Sequence, residues 1–133
     1  MTLWSNFTFT NPSESSLRIS DIAKFSFNIG ANYQLTKKVA INATAHYVGP
    51  RKTGTGTFGS KNHNETINHY FIINTTISYH EILTGISLQV SINNLFNKQY
   101  FDPGIGDADG VAIAARFPQE LRNISAGVIF DIK

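Results

Sequence analysis

Apolar and small polar residues alternate one for one along six stretches of this chain. In one of them, Ile86, Leu88, Val90 and Ile92 are separated by serine and glutamine. A period of two places successive side chains on opposite faces of a β-strand. The pattern therefore predicts an all-β chain whose strands each have one apolar and one polar face, with approximate bounds 3–10, 24–35, 39–49, 70–80, 85–101 and 122–132.

The connections between these strands alternate between long and short. Tight turns are expected at residues 36–38 and again from His80 and Glu81, whereas the other connections are long and polar. An antiparallel meander with long loops at one edge and tight turns at the other is typical of outer-membrane β-barrels. Each alternating run has about 9–11 residues, the length that a tilted strand needs to cross a bilayer.

Aromatic residues are expected to form two bands, one at each end of the strands. Such bands mark the two membrane interfaces of a barrel, with aliphatic residues between them. A soluble β-sandwich gives no reason for this sorting. The band at the long-loop end would contain Phe9, Phe25, Tyr47, Phe71, Phe96 and Tyr100, and the band at the tight-turn end would contain Trp4, Tyr33, Tyr79 and Phe130.

The charge pattern strengthens the membrane interpretation. Charged residues make up 15% of the 133 residues, below the roughly 25% of globular chains, while the hydrophobic fraction of 41% is ordinary. The charges cluster between the alternating runs, and the polar face of each strand consists of Asn, Ser, Thr, Gln and Gly. A soluble sheet normally carries Lys, Glu or Arg on its solvent face. The pattern favours a face that lines a hydrated lumen.

Composition also narrows the possible function classes. A net charge of +2 is too small and too dispersed to indicate nucleic-acid binding. The chain has no cysteine and therefore no disulfide or thiolate site. No run of about 18 apolar residues predicts a transmembrane helix. No secretory signal is visible after Met1, so any export signal is expected outside these residues.

Motifs that suggest specific chemistry have simpler structural interpretations. The Asp107–Gly110 segment lacks the ligands of a calcium loop, and His63 and His69 have no third metal ligand at a fixed spacing. No catalytic triad, carboxylate pair or phosphate loop is present, so we expect no enzyme activity, cofactor or metal. Five glycosylation sequons occur, at Asn6, Asn42, Asn64, Asn74 and Asn123. Four of them lie in predicted strands, where two successive polar-face residues produce the sequon pattern without any glycosylation.

Six strands are too few to close a membrane barrel, since the smallest single-chain barrels have about eight. An open sheet would leave two unpaired edges in lipid, which is prohibitively costly. The chain is therefore expected to be part of a larger wall. The alternatives are a small self-assembling outer-membrane barrel or adhesin and a soluble β-sheet binding module.

The segment Ile92–Pro103, INNLFNKQYFDP, resembles the penultimate-strand signature of TonB-dependent outer-membrane receptors. Supporting matches are the segments 30–33, 47–51 and 117–130. The resemblance implies that residues 1–133 are the carboxy-terminal part of a plugged barrel of about 22 strands. It also implies energy-coupled uptake of a ferric siderophore, vitamin B12, haem or a glycan, with a ferric siderophore or similar iron complex favoured. The signature residues would be Asn94, Leu95, Phe96 and Tyr100.

The same resemblance implies the partners of the chain. These would be outer-membrane lipid, the remaining barrel with its plug, the TonB complex acting through that plug, and a small-molecule ligand. The plug, the TonB box and the signal peptide are expected outside the chain, and its last residue, Lys133, replaces the usual terminal aromatic. From the residues themselves, Arg51, Lys52, Lys61 and Arg116 are either a mildly basic mouth for an anionic ligand or ordinary loop charges. The possible ligand-facing loop residues are Arg51, Lys52, Lys61, His63, His69 and Arg116.

Overall fold

A computed structural model describes residues 1–11, 13–14, 17–18, 21–54, 66–104 and 114–131. Six long strands form one antiparallel sheet in which each is hydrogen-bonded to the next long strand along the chain. Among the described residues, no helix is long and apolar enough to span a membrane. The strands are β1 (Thr2–Phe9), β2 (Ser13–Glu14), β3 (Leu17–Arg18), β4 (Phe25–Gln34), β5 (Val39–Val48), β6 (Arg51–Lys52), β7 (Thr66–Ile67), β8 (Tyr70–Leu83), β9 (Ile86–Asn93), β10 (Phe101–Pro103), β11 (Arg116–Pro118) and β12 (Asn123–Phe130).

The sheet confirms the predicted antiparallel meander, with strand order β1-β4-β5-β8-β9-β12. Each long connection also contains a short two-stranded ladder that the alternation did not predict. These ladders are β2–β3, β6–β7 and β10–β11. Strands β1 and β12 lie at the two edges of the sheet, so each has one long neighbour within it.

The strand register places most of the apolar residues of the six strands on one face. Phe27 lies opposite Tyr47, which lies opposite Phe71, and the same parity holds along every pair. This apolar face is exposed in the isolated chain, with Leu3 at 64% and Ile124 at 63%. A continuous apolar surface of this kind requires a lipid or protein partner. The other face carries the sequon residues Asn6, Asn42, Asn74 and Asn123.

An aromatic cluster covers the long-loop end of the apolar face. Its ring centroids are 5.2–6.5 Å apart, within the range of favourable aromatic contacts. The rings form a connected series of neighbouring pairs among Phe7, Phe25, Phe27, Tyr47 and Phe71. The predicted residues Phe25, Tyr47 and Phe71 are thus placed together at one end of the sheet.

The band assignment of Trp4 was wrong. Trp4 pairs with Gly30 on the polar face of the sheet, and its indole ring lies over this glycine. Tyr33 and Tyr79, by contrast, lie on the apolar face near the tight turns. The absence of a side chain at residue 30 is what gives the indole ring room to lie flat against the sheet.

Gly30→Ala is expected to destabilise the folded sheet, because the new Cβ would overlap the Trp4 indole ring. Such overpacking costs about 1–3 kcal/mol in the free energy of unfolding. The measurement is the free energy of unfolding in urea. Gly127→Ala is the matched control, since a Cβ there meets no atom within 4 Å. Equal costs at the two glycines would contradict the packing of Trp4.

The fifth predicted strand was too long, because β9 ends at Asn93 and not near residue 101. Asn94 and Asn97 have φ values of 51° and 53°, a left-handed conformation that asparagine tolerates better than most residues. The chain therefore turns after Asn93. Phe96 lies in that turn with 72% of its surface exposed.

The turn predicted from His80 and Glu81 was also misplaced. Strand β8 continues to Leu83, and its pairing with β9 shifts register between Tyr79 and Leu83. Glu81 has a φ of 49° within this irregularity, and the reversal occurs at Thr84 and Gly85. The other tight turn is confirmed. There the Thr36 Oγ1 accepts hydrogen bonds from the backbone N–H groups of Lys38 and Val39.

Candidate functional site at the long-loop end

The long connections are named loop A (residues 10–24), loop B (residues 49–69) and loop C (residues 94–122). Their described bases are joined by backbone hydrogen bonds. The Asp21 N–H donates to the Lys52 carbonyl at 3.0 Å, and the Gly54 N–H donates to the Gly104 carbonyl at 2.6 Å. Thr53, between these two bonds, is fully buried. The loop bases therefore pack against one another above the sheet.

Arg51 is the central charged residue of this packed region. Its Nη1 donates to Asp21 Oδ1 of loop A at 2.9 Å, and its Nη2 donates to Asp102 Oδ1 of loop C at 2.5 Å. A longer bond of 3.4 Å joins Nη2 to the Phe101 carbonyl. Only 10% of the Arg51 side chain is exposed. Two carboxylates thus neutralise this guanidinium, and little of it is accessible to a ligand.

Two tyrosines complete the environment of Arg51. The guanidinium carbon lies 5.5 Å from the centroid of the Tyr70 ring, a cation–π contact. Tyr100 packs on Tyr70 with 4.5 Å between centroids. Tyr100 therefore belongs to the polar side of the loop end, and its assignment to the membrane band was wrong. Partial burial raises the pKa of its hydroxyl, and the nearby Asp102 and Glu120 carboxylates raise it further.

The signature residue Asn94 organises the turn that follows β9. Its side chain is 3% exposed and uses both polar atoms. The Nδ2 donates to the carbonyls of Lys98 and Glu120 at 2.8 Å and 3.2 Å, while the Oδ1 accepts from the Lys98 N–H at 2.8 Å. The Asn94 N–H donates to Asn74 Oδ1 of β8. The hydrogen bonds of Asn94 thus end the strand and fold loop C back over the sheet.

A cavity of about 180 Å³ opens beside this turn. The ring of His69 lies 5.8 Å from that of Tyr47 on the apolar face, while Tyr100 packs on the polar-face residue Tyr70. The cavity therefore lies at the rim of the sheet, where loops B and C meet. Basic, amide and aromatic groups suit an anionic ligand with a flat apolar part. The lining residues are Ile67, Asn68, His69, Lys98, Gln99, Tyr100, Phe101 and Arg116.

The structure brings together some of the loop residues that were predicted to face a ligand. His69 and Arg116 line the same cavity. Arg51 lies within the loop packing, and the Lys52 Nζ donates to Thr66 Oγ1 at 2.6 Å. Lys61, His63 and the Asp107–Gly110 segment lie outside the described residues. Within the described ranges, no group of three potential metal ligands occurs.

Lys98, Gln99 and Phe101 are cavity residues that the sequence interpretation missed. They fall inside the predicted strand 85–101, although the alternation of apolar and polar residues stops at Asn93. The two asparagines with positive φ, Asn94 and Asn97, were the available signal that this segment is a turn.

Solved receptor structures contain the same arrangement of strands. The ferric enterobactin receptor PfeA from Pseudomonas aeruginosa superposes with a TM-score of 0.71 at 20% identity, over 96% of this chain and 19% of that one. The chain therefore has the same fold as the part of this receptor that it matches. The predicted all-β antiparallel meander, with a likeness to outer-membrane barrel receptors, is thereby confirmed.

Two forms of a second receptor give the same result for this barrel segment. The closed form of the ferric-catecholate import receptor Fiu from E. coli K12 has a TM-score of 0.67 at 15% identity, over 96% of this chain and 18% of that chain. The open form has a TM-score of 0.61 at 19% identity, over 80% of this chain and 15% of that chain. The segment thus spans less than a fifth of each receptor. No family model matches the sequence, and no curated protein matches it.

Proposed function

We propose that this segment forms part of the wall and external loops of a bacterial outer-membrane receptor that takes up a ferric siderophore. The observation that carries the proposal is the superposition on two receptors for ferric catecholates, PfeA and Fiu, over 80–96% of the chain. Within such a receptor the segment contributes structure and loop surface. It performs no chemical reaction.

The apolar face is the lipid-facing side of the wall. It is continuous across six strands, and an aromatic cluster borders it at the long-loop end. Aromatic side chains at this position lie at the level of the lipid headgroups. The long loops then lie outside the hydrocarbon layer, where an extracellular ligand meets them.

The edges of the sheet support a larger assembly. Strands β1 and β12 each have one long neighbour in the sheet, and unpaired backbone groups are costly in lipid. The remaining strands of the same receptor would pair with both edges and close the barrel. The polar face then lines the lumen, which a plug domain fills. Energy from the TonB complex reaches the receptor through that plug.

The cavity between loops B and C fits the proposed ligand class. Ferric catecholate complexes are flat-ringed anions, and the cavity combines basic side chains with the rings of Tyr100 and Phe101. Basic groups around an opening also raise the local concentration of anions. His69, Lys98 and Arg116 are the side chains proposed to contact the ligand.

Uptake of radioactive iron tests this proposal. The complete receptor chain carrying this segment is expressed in bacteria that lack their own catecholate receptors, and ferric enterobactin is supplied. We expect energy-dependent uptake that falls when Lys98→Gln and Arg116→Gln are combined. Arg122→Gln, an exposed charge change outside the cavity, is the control. An assembled receptor that takes up haem or vitamin B12 but no ferric catecholate would refute the ligand class.

A further inference from the structure

Arg51 bonds to loop A and loop C at the same time. Its Nη1 contacts Asp21 and its Nη2 contacts Asp102, at 2.9 Å and 2.5 Å. From this shared contact we infer that Arg51 is a positioning residue that fixes the base of loop A relative to the base of loop C. It acts through the loops and has no direct contact with ligand.

The charges explain why the loss of Arg51 separates the two loops. One guanidinium stands between two carboxylates, which carry more negative charge than it neutralises. Without it, Asp21 and Asp102 face each other as like charges in a partly buried site, where electrostatic interactions are stronger than in water. The carboxylates then repel each other, and loops A and C move apart.

Loop B behaves differently because backbone bonds also hold it. The Asp21 N–H bonds to the Lys52 carbonyl, and the Gly54 N–H bonds to the Gly104 carbonyl. Neither bond involves the Arg51 side chain. The distance between loops A and C therefore depends on Arg51 more strongly than the distance from loop B to either neighbour.

The shared guanidinium makes the bases of loops A and C respond together. When Asp21 moves away from Arg51, the guanidinium loses one of the two carboxylates that hold it in place, and its bond to Asp102 changes. Moving Asp102 changes the bond to Asp21 in the same way. Two sites that bias one shared element are energetically coupled. A ligand that moves one loop thus changes the positions available to the other.

Distance distributions between spin labels test this inference. The chain has no cysteine, so labels are introduced by Lys24→Cys in loop A, Asn68→Cys in loop B and Gln99→Cys in loop C. The measurement is made on the complete receptor in lipid bilayers. Arg51→Gln is expected to increase the mean distance between labels 24 and 99 and to widen its distribution severalfold. The 68–99 distribution is expected to change much less. Arg122→Gln, the matched charge change at an exposed position, should alter neither distribution.

Two further variants keep the test decisive. Asp21→Asn should broaden the 24–99 distribution and leave the 68–99 distribution narrow, because it releases loop A alone. Adding Asp102→Asn to Arg51→Gln should bring the 24–99 distance part of the way back by removing the repulsion.

An unchanged 24–99 distribution in assembled Arg51→Gln receptor overturns the inference. If that variant fails to assemble, an unchanged distribution in Asp21→Asn overturns it. No ligand is present, so the outcome is separate from the proposed transport function.

Discussion

Ala43→Arg is expected to lower the free energy of unfolding of the proposed receptor by about 2–4 kcal/mol. Ala43 lies midway along β5 on the apolar face, opposite Ala31 on one side and Thr75 on the other. On the proposed orientation its side chain points to the centre of the bilayer. An arginine there must carry its charge into hydrocarbon or bend toward the interface, and both are costly. Urea unfolding in bilayers measures the effect.

The neighbouring substitution Asn42→Arg is the control for this prediction. Asn42 precedes Ala43 in the same strand but lies on the polar face, opposite Asn32 and Thr76. The two variants therefore add the same charge at the same depth on opposite faces. We expect Asn42→Arg to cost clearly less. A reversed order, or equal costs, would contradict the assignment of the apolar face to lipid.

Asn94→Ala is expected to destabilise the receptor by about 3–5 kcal/mol. The substitution removes three side-chain hydrogen bonds and leaves the Lys98 and Glu120 carbonyls without this donor. It also places an alanine at a φ of 51°, where a residue with a Cβ and no side-chain hydrogen bond is strained. The free energy of unfolding in bilayers measures both effects together.

Three related variants separate these effects. Asn94→Gly relieves the strain at positive φ but still loses the side-chain bonds, so it should be about 1 kcal/mol less harmful than Asn94→Ala. Asn94→Asp keeps the acceptor for the Lys98 N–H but sets a carboxyl oxygen against the Lys98 and Glu120 carbonyls, so it should be no milder than Asn94→Ala. Asn93→Ala, at an exposed neighbouring position, should change stability by no more than about 0.5 kcal/mol. A cost at Asn93 equal to that at Asn94 would contradict the structural role of the signature.

The alternation of residues was sufficient to predict the six long strands and the face of nearly every residue. Register errors of one residue would move each side chain to the other face, so a long alternating run determines its own orientation. The prediction failed where it extended a strand beyond its alternating residues. Residues 94–101 have no period of two, and Asn94 and Asn97 adopt positive φ and end the strand. The two-residue ladders in the loops are too short to show any period.

The site was harder to predict than the fold, because its contacts join distant parts of the sequence. Arg51 bonds to Asp21, 30 residues earlier, and to Asp102, 51 residues later. Nothing in the local sequence distinguishes Arg51 from a solvated loop arginine. The cationic character of the loops was predictable. Which cations are neutralised by a partner and which line a cavity depends on the folded arrangement of the loops.

An accessibility scan of β5 tests the central claim most directly. Single cysteines at residues 41–46 carry spin labels in the complete receptor in bilayers, and collisions are measured with oxygen, which concentrates in lipid, and with a water-soluble nickel complex. The account predicts high oxygen accessibility at Ile41, Ala43 and Ala45 and low values at Asn42, Thr44 and His46, with the nickel complex excluded from the first set. Nickel access to Ile41, Ala43 and Ala45, or oxygen values without a period of two, would show that this sheet is no membrane wall.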